Sequence, residues 1–173
     1  MCWYAVAKDF AGPAATVIAA AAAVFVTYRF NSAQVKISRE QKNIALDKLK
    51  QDVFNQRYAI YTATKDLIEY VMHQHDFQQI DNARIRQLRV TLDESRFFFG
   101  PSVRGFIAEI DATSEQLLKA LGDKWQNDDQ RKEPAWTATI TKLGDASRKL
   151  SEMYAELPVK FEEALRYDQI ARD

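Results

Sequence analysis

The chain has 173 residues, of which 47% are hydrophobic and 28% charged, enough for one domain with a core and too apolar for wholesale disorder. Lysine plus arginine (24) equals aspartate plus glutamate (24), and beyond residue 30 the balance is 22 to 23. No global field therefore draws the protein to nucleic acid, and no nucleic-acid partner is expected. One cysteine, Cys2, excludes an intrachain disulfide and a cysteine-based metal cluster, and five glycines and four prolines favour long helices over a turn-rich β fold.

The stretch "DFAGPAATVIAAAAAVFVTYRF" (9–30) carries no charge between Asp9 and Arg29. Its 19 residues from Phe10 to Tyr28 would extend roughly 28 Å as a helix, close to the roughly 30 Å of bilayer hydrocarbon. Trp3 and Tyr4 precede it, and Tyr28 and Phe30 close it, as interfacial aromatics do. Alanine contributes little to insertion, so Phe10, Val17, Ile18, Val24, Phe25 and Val26 supply the drive, roughly −2 to −4 kcal/mol together. A buried core helix and a cleaved export signal are the competing readings. The first calls for an amphipathic pattern and the second for net positive charge before the run, where Lys8 is cancelled by Asp9. Arg29, Lys36, Arg39 and Lys42 all follow the run, which places the C-terminal side in the cytoplasm. Residues 1–30 are thus expected to be a single-pass anchor in a bacterial inner (plasma) membrane, with lipid as its partner. Ala15, Ala19 and Ala23 recur every four residues, a spacing that lets two such spans approach closely.

Residues 31–45 are more polar and are expected to form a helical juxtamembrane stalk. From there, Leu46, Leu49, Val53, Gln56, Ile60, Ala63, Leu67 and Tyr70 follow the 3-4 spacing of a helix with one buried, coiled-coil-like seam. Phe54, Tyr58, Tyr61, Ile68 and Met72 widen it, so several neighbours are expected. "HQHDFQQID" (73–81) breaks the pattern, and Asp81 is placed to cap the next helix. Ile85, Leu88, Leu92 and Phe99 carry that helix to "FFFGPS", where Gly100 and Pro101 are expected to stop it. A third helix, capped by Ser102, is expected to bury Val103, Phe106, Ile107, Ile110, Leu117 and Leu121 and to end at Gly122. A polar loop at 122–134 with Trp125 follows. The last helix places Trp136, Ile140, Leu143, Ser147, Leu150, Tyr154, Leu157, Phe161 and Ala164 on one stripe that runs through Pro158. The fold class expected is all-α: an N-terminal transmembrane helix, then a cytoplasmic antiparallel bundle of about four helices over 46–173.

"ALDKLKQDVFNQRYAIY" (45–61), "SRFFFG" (95–100) and "ELPVKFEEALRY" (156–167) together resemble a family of small uncharacterised bacterial membrane proteins. These carry an "L-x-x-x-R-[FY]-x-[IV]-Y" helix and an "A-R-F-[LF]-F-G" helix end behind one N-terminal span. This chain departs at Ser95, where alanine is usual, and at Val53-Phe54, where Leu-Phe is usual. The resemblance implies a membrane-tethered helical protein and carries no established activity.

Chemistry is sparse. His73 and His75 are the only histidines and fall at a helix end beside Asp76, where a solvated turn is the expected reading over a metal site. Paired E-x-x-H motifs for a di-iron centre are missing, as are a Gly-rich phosphate loop and a Ser–His–Asp order. Arg84, Arg86, Arg89, Arg96 and Arg104 are interleaved with Asp81, Asp93 and Glu94 as a solvated face. Phe54, Tyr58, Phe98 and Phe99 are expected in the core with arginine stems over them. No catalytic residue, cofactor, metal or small-molecule substrate is expected. The reading is a non-enzymatic interaction or scaffold module that binds itself or another protein. A membrane-disrupting effector of a bacterial defence or stress system and an accessory subunit of a larger membrane complex are the alternatives.

Overall fold

The computed structural model describes residues 3–74, 77–126 and 134–166, with side chains from residue 15 onward, 135 excepted. It is all-helical, with no strand among the described residues. The elements are α1 (Trp3–Met72), a 3-10 turn (Phe77–Gln79), α2 (Asn82–Asp93), the single-turn α3 (Ser95–Phe98), α4 (Pro101–Gln126) and α5 (Pro134–Glu162). Two compact units divide the chain, Met1–Leu49 and Lys50–Asp173.

In the first unit α1 is unbroken. Pro13 lies near its start, and no glycine or proline follows until Gly100, so nothing in the sequence gives the helix cause to kink. Its described side chains are exposed throughout residues 15–49. Leu46 and Leu49, expected in the buried seam, are 46% and 59% exposed. Periodicity announces an apolar face but not the partner that covers it, and burial on this face begins only in the second unit.

That second unit holds one core, built from Ile60, Leu67, Ile68 and Val71 of α1, Ile85 and Leu92 of α2, Phe106, Ile107, Ile110 and Leu117 of α4, and Leu150, Leu157 and Phe161 of α5. Polar ties set the pairing of its helices. The Asp81 carboxylate accepts from the Ala83 and Arg84 amides (2.9 and 3.2 Å), capping α2 as expected. The Asp81 amide in turn donates to the Tyr70 hydroxyl at 2.7 Å, which holds the start of α2 against the end of α1. Arg89 of α2 reaches Asp111 of α4 at 2.6 Å, and Lys149 of α5 reaches Glu109 of α4 at 2.7 Å.

Four helix boundaries differ from their expected positions. The second helix divides at Glu94, whose amide bonds back to the Thr91 and Leu92 carbonyls and closes α2 one residue before α3 begins. The stop at Phe99 is made by that residue's own extended backbone (φ −127°, ψ 148°), and no described glycine has positive φ. Pro101 then opens α4 at the first helical position, where its missing donor is tolerated, so Ser102 lies inside the helix. Gly122 does not end α4, which continues to Gln126. A Cβ on Gly122 would stand 3.0 Å from Phe77 Cε2, so the glycine admits the Phe77 ring against α4, and that ring stacks on Trp125 at 6.3 Å. Of the expected 122–134 loop, 122–126 and Pro134 are therefore helical, and 127–133 lie outside the described residues. α5 passes through Pro158 to Glu162, with Leu157 and Phe161 on either side fully packed.

The seam yields a paired test. Leu67→Ala should destabilise the packed unit by about 2–5 kcal/mol, whereas Leu49→Ala should stay within about 0.5 kcal/mol. Urea titration of the full chain in detergent, followed by circular dichroism, separates the two.

Candidate functional site

Two regions concentrate features beyond simple core packing: the uncovered N-terminal half of α1 and a band of polar ties across the core of the second unit. α1 holds an 18-residue window apolar enough to cross a membrane, and none of that window is buried within the protein. Val17, Ile18, Val24, Phe25, Val26 and Tyr28 are each between 62% and 72% exposed. Ala15, Ala19 and Ala23 are exposed too. Phe10 belongs to α1, but its side chain lies outside the described residues. The Arg29 guanidinium sits 5.6 Å from the Phe25 ring centroid, a charged end turned back over an aromatic at the close of the run. Thr27 satisfies its hydroxyl within the helix by donating to the Ala23 carbonyl at 2.8 Å. None of the described residues covers this window.

In the second unit, Arg57 joins three segments. Its Nε donates to the Phe98 carbonyl and its Nη1 to the Ala164 carbonyl, both at 2.9 Å, and its guanidinium lies 5.9 Å from the Phe99 ring centroid. Phe98 is the last residue of α3 and Ala164 lies in the turn two residues past the end of α5, so one forked cation satisfies a carbonyl at each helix terminus. Phe161 meets Tyr61 and Phe99 edge-on at 5.4 and 5.2 Å in the same layer. Sequence reasoning saw the arginine stem over the aromatics but not the two carbonyls, because neither partner carries any side-chain signal. Phe99 is buried as expected and Phe54 and Phe98 are partly buried, but Tyr58 is 53% exposed. It stacks along the helix on Phe54 and Tyr61 instead of entering the core.

A second tie links α1 to α5. The Tyr154 hydroxyl donates to Glu69 Oε1 at 2.5 Å, and Lys65 Nζ lies 3.6 Å from the same oxygen. The Tyr154 bond holds the Glu69 carboxyl below its ordinary range, with Lys65 in support. Bonding to Glu69 pushes the Tyr154 phenol up, and Lys65 is raised by Tyr154 and Glu69 together. His73 follows on the same helix, exposed, with Nδ1 2.6 Å from the Glu69 carbonyl; His75 and Asp76 lie outside the described residues. No group of three metal-ligating side chains gathers among the described residues.

A cleft of about 590 Å³ is lined by residues of α2, α3 and α4, with Arg89, Arg96 and Arg104 set among Asp93, Asp111 and Glu115. Three cations against three carboxylates leave no net charge for an ionic ligand. A smaller cleft of about 450 Å³ between α4 and α5 is lined by Lys119, Lys142 and Lys149 with Asp123 and Asp145. Neither brings together a nucleophile, a base and an oxyanion donor. No family model, curated protein or solved structure matches the chain, and none of these comparisons shows the expected resemblance to small bacterial membrane proteins.

Arg57→Met keeps the apolar stem and removes both charged bonds; it should destabilise the second unit by about 1.5–3 kcal/mol, read by denaturant titration. The Glu69 tie sets a pH dependence with a definite sign. A carboxyl whose folded pKa is depressed adds stability above its unfolded value and loses it as pH falls through the folded one. Thermal melts should show a decline on acidification through the carboxylate range that Glu69→Gln flattens.

Proposed function

We propose that this protein is a membrane-anchored helical interaction module. The N-terminal segment crosses a bacterial plasma membrane once, and the remainder forms an antiparallel helical bundle on the cytoplasmic side. The observation that carries this is the apolar window of α1, none of which is buried in its own chain. At about 25 cal/mol per Å² of apolar surface, a helix bare on all sides is strongly driven out of water. With no cover from its own chain, it takes lipid or a second protein. Its length fits a bilayer, and the basic residues Arg29, Lys36, Arg39 and Lys42 fall after it, which orients the C-terminal side inward.

The bundle serves as a docking body and not as a catalyst. Several of its polar groups are spent on one another: Arg57 on the Phe98 and Ala164 carbonyls, Glu69 on Tyr154, Arg89 on Asp111 and Lys149 on Glu109. Membrane lipid is one partner; a second copy of the chain or another protein is the other, and no nucleic acid or small-molecule substrate enters the reading.

Alkaline carbonate extraction of native membranes should leave the full-length chain in the pellet, and protease added to inverted vesicles should digest the C-terminal portion. Release of an intact chain into the supernatant, or protection of that portion, overturns the corresponding half of the proposal.

A further inference from the structure

Beyond the span, α1 keeps a second regularity that the alanine spacing does not describe. We infer that residues 20–44 form a parallel two-stranded coiled coil with a second copy of this chain, continuous from the lipid into the cytoplasm. This rests on the anchored reading, which gives both copies the same orientation and so makes the pair parallel.

The register is a heptad without a phase break. Ala20, Thr27, Gln34 and Gln41 occupy position a, and Ala23, Phe30, Ile37 and Ile44 occupy position d. All eight are exposed, and α1 passes through them without interruption. Within the apolar run the seam holds only small residues, which lets backbones approach where water cannot drive association. Of the bulky side chains of that run, Ile18, Phe25 and Tyr28 fall at f, f and b, on the outward face, while Val17, Val24 and Val26 flank the seam at e, e and g. Past Arg29 the d positions become large and apolar, as a coiled coil in water requires, while glutamine at a offers polar layers that hold register.

Charge placement selects the occupant. Arg29, Lys36, Arg39 and Lys42 fall at positions c, c, f and b, the outward faces, so two copies in register bring none of them together. Glu40, at g, meets Ala45 at e of the partner copy, with no like charge opposed. Lys48, at the next a, closes the seam. A bilayer surface is the rival cover for Phe30, Ile37 and Ile44, since the basic residues lie opposite them. Lying flat would require α1 to bend sharply between the span and residue 31, and no glycine, proline or helix break stands there. This seam differs from the four-residue alanine face, because positions spaced by four drift around a helix by about 40° per step. Of Ala15, Ala19 and Ala23, Ala23 falls at d and Ala19 beside it at g, while Ala15 falls at c.

Single cysteines at residues 30–44, placed in the full chain on a Cys2→Ser background, test the pairing by oxidative crosslinking in native membranes. Crosslinked dimer should peak for Phe30→Cys, Ile37→Cys and Ile44→Cys, fall to background for Lys36→Cys and Arg39→Cys, and vanish for Ile37→Cys when Ile44→Asp is added. Carbonate extraction of the same samples keeps the two readings apart. A chain retained in the membrane whose crosslinks are absent, aperiodic or centred on Arg39 overturns the coiled coil and leaves the anchor standing. If Ile37 and Ile44 also become shielded by lipid-borne quenchers in that case, the bilayer surface is the true cover. A chain released to the supernatant overturns the anchor, and with it the paired span.

Discussion

A long helix whose N-terminal apolar side chains are covered by none of the described residues is the constraint to which the remaining features of this protein answer. Val17, Ile18, Val24, Phe25 and Val26 stay exposed among alanines, without a charge from Phe10 to Tyr28. Each buried methylene is worth about 0.8 kcal/mol, so surface of this extent does not remain in water without a cover. The proposed reading divides that task between lipid over the span and a second helix along the seam. The charges at residues 29, 36, 39, 40 and 42 all lie off that seam.

The second unit solves a different problem. Four stretches of apolar helix can share a core in more than one register, since Leu, Ile and Phe pack against one another with little preference. Polar contacts remove that freedom. Arg57 accepts only the geometry in which the carbonyls of Phe98 and Ala164 converge on it, and Tyr70 only the one in which the Asp81 amide reaches its hydroxyl. Glu69 and Tyr154 fix α5 along α1 in the same way. These bonds are modest in energy beside the core, and their effect is mainly to choose among packings of similar apolar content.

The close approach at Gly122 shows how a residue type can be read correctly and its role missed. Glycine signals either a left-handed turn or a place where something comes near, and the local sequence does not distinguish them. Here Phe77, from the 3-10 turn after α1, stands where a side chain would be. The information lay 45 positions away.

What the sequence determined by itself was everything governed by neighbours along the chain. Helical periodicity, the Asp81 cap, the break after Met72, the passage of α5 through Pro158 and the charge-free N-terminal run all follow from interactions within a few residues. Tertiary structure decided which parts of each stripe are covered. Leu67 and Leu46 occupy the same heptad position in one seam, yet one is fully buried and the other 46% exposed. It also decided that Arg57 would hold two carbonyls, that Tyr58 would remain outside and that Glu69 would take its proton-donating partner from α5. Burial and hydrogen bonding depend on what arrives from distant positions, and a helix's own sequence specifies the face it offers but not what meets it.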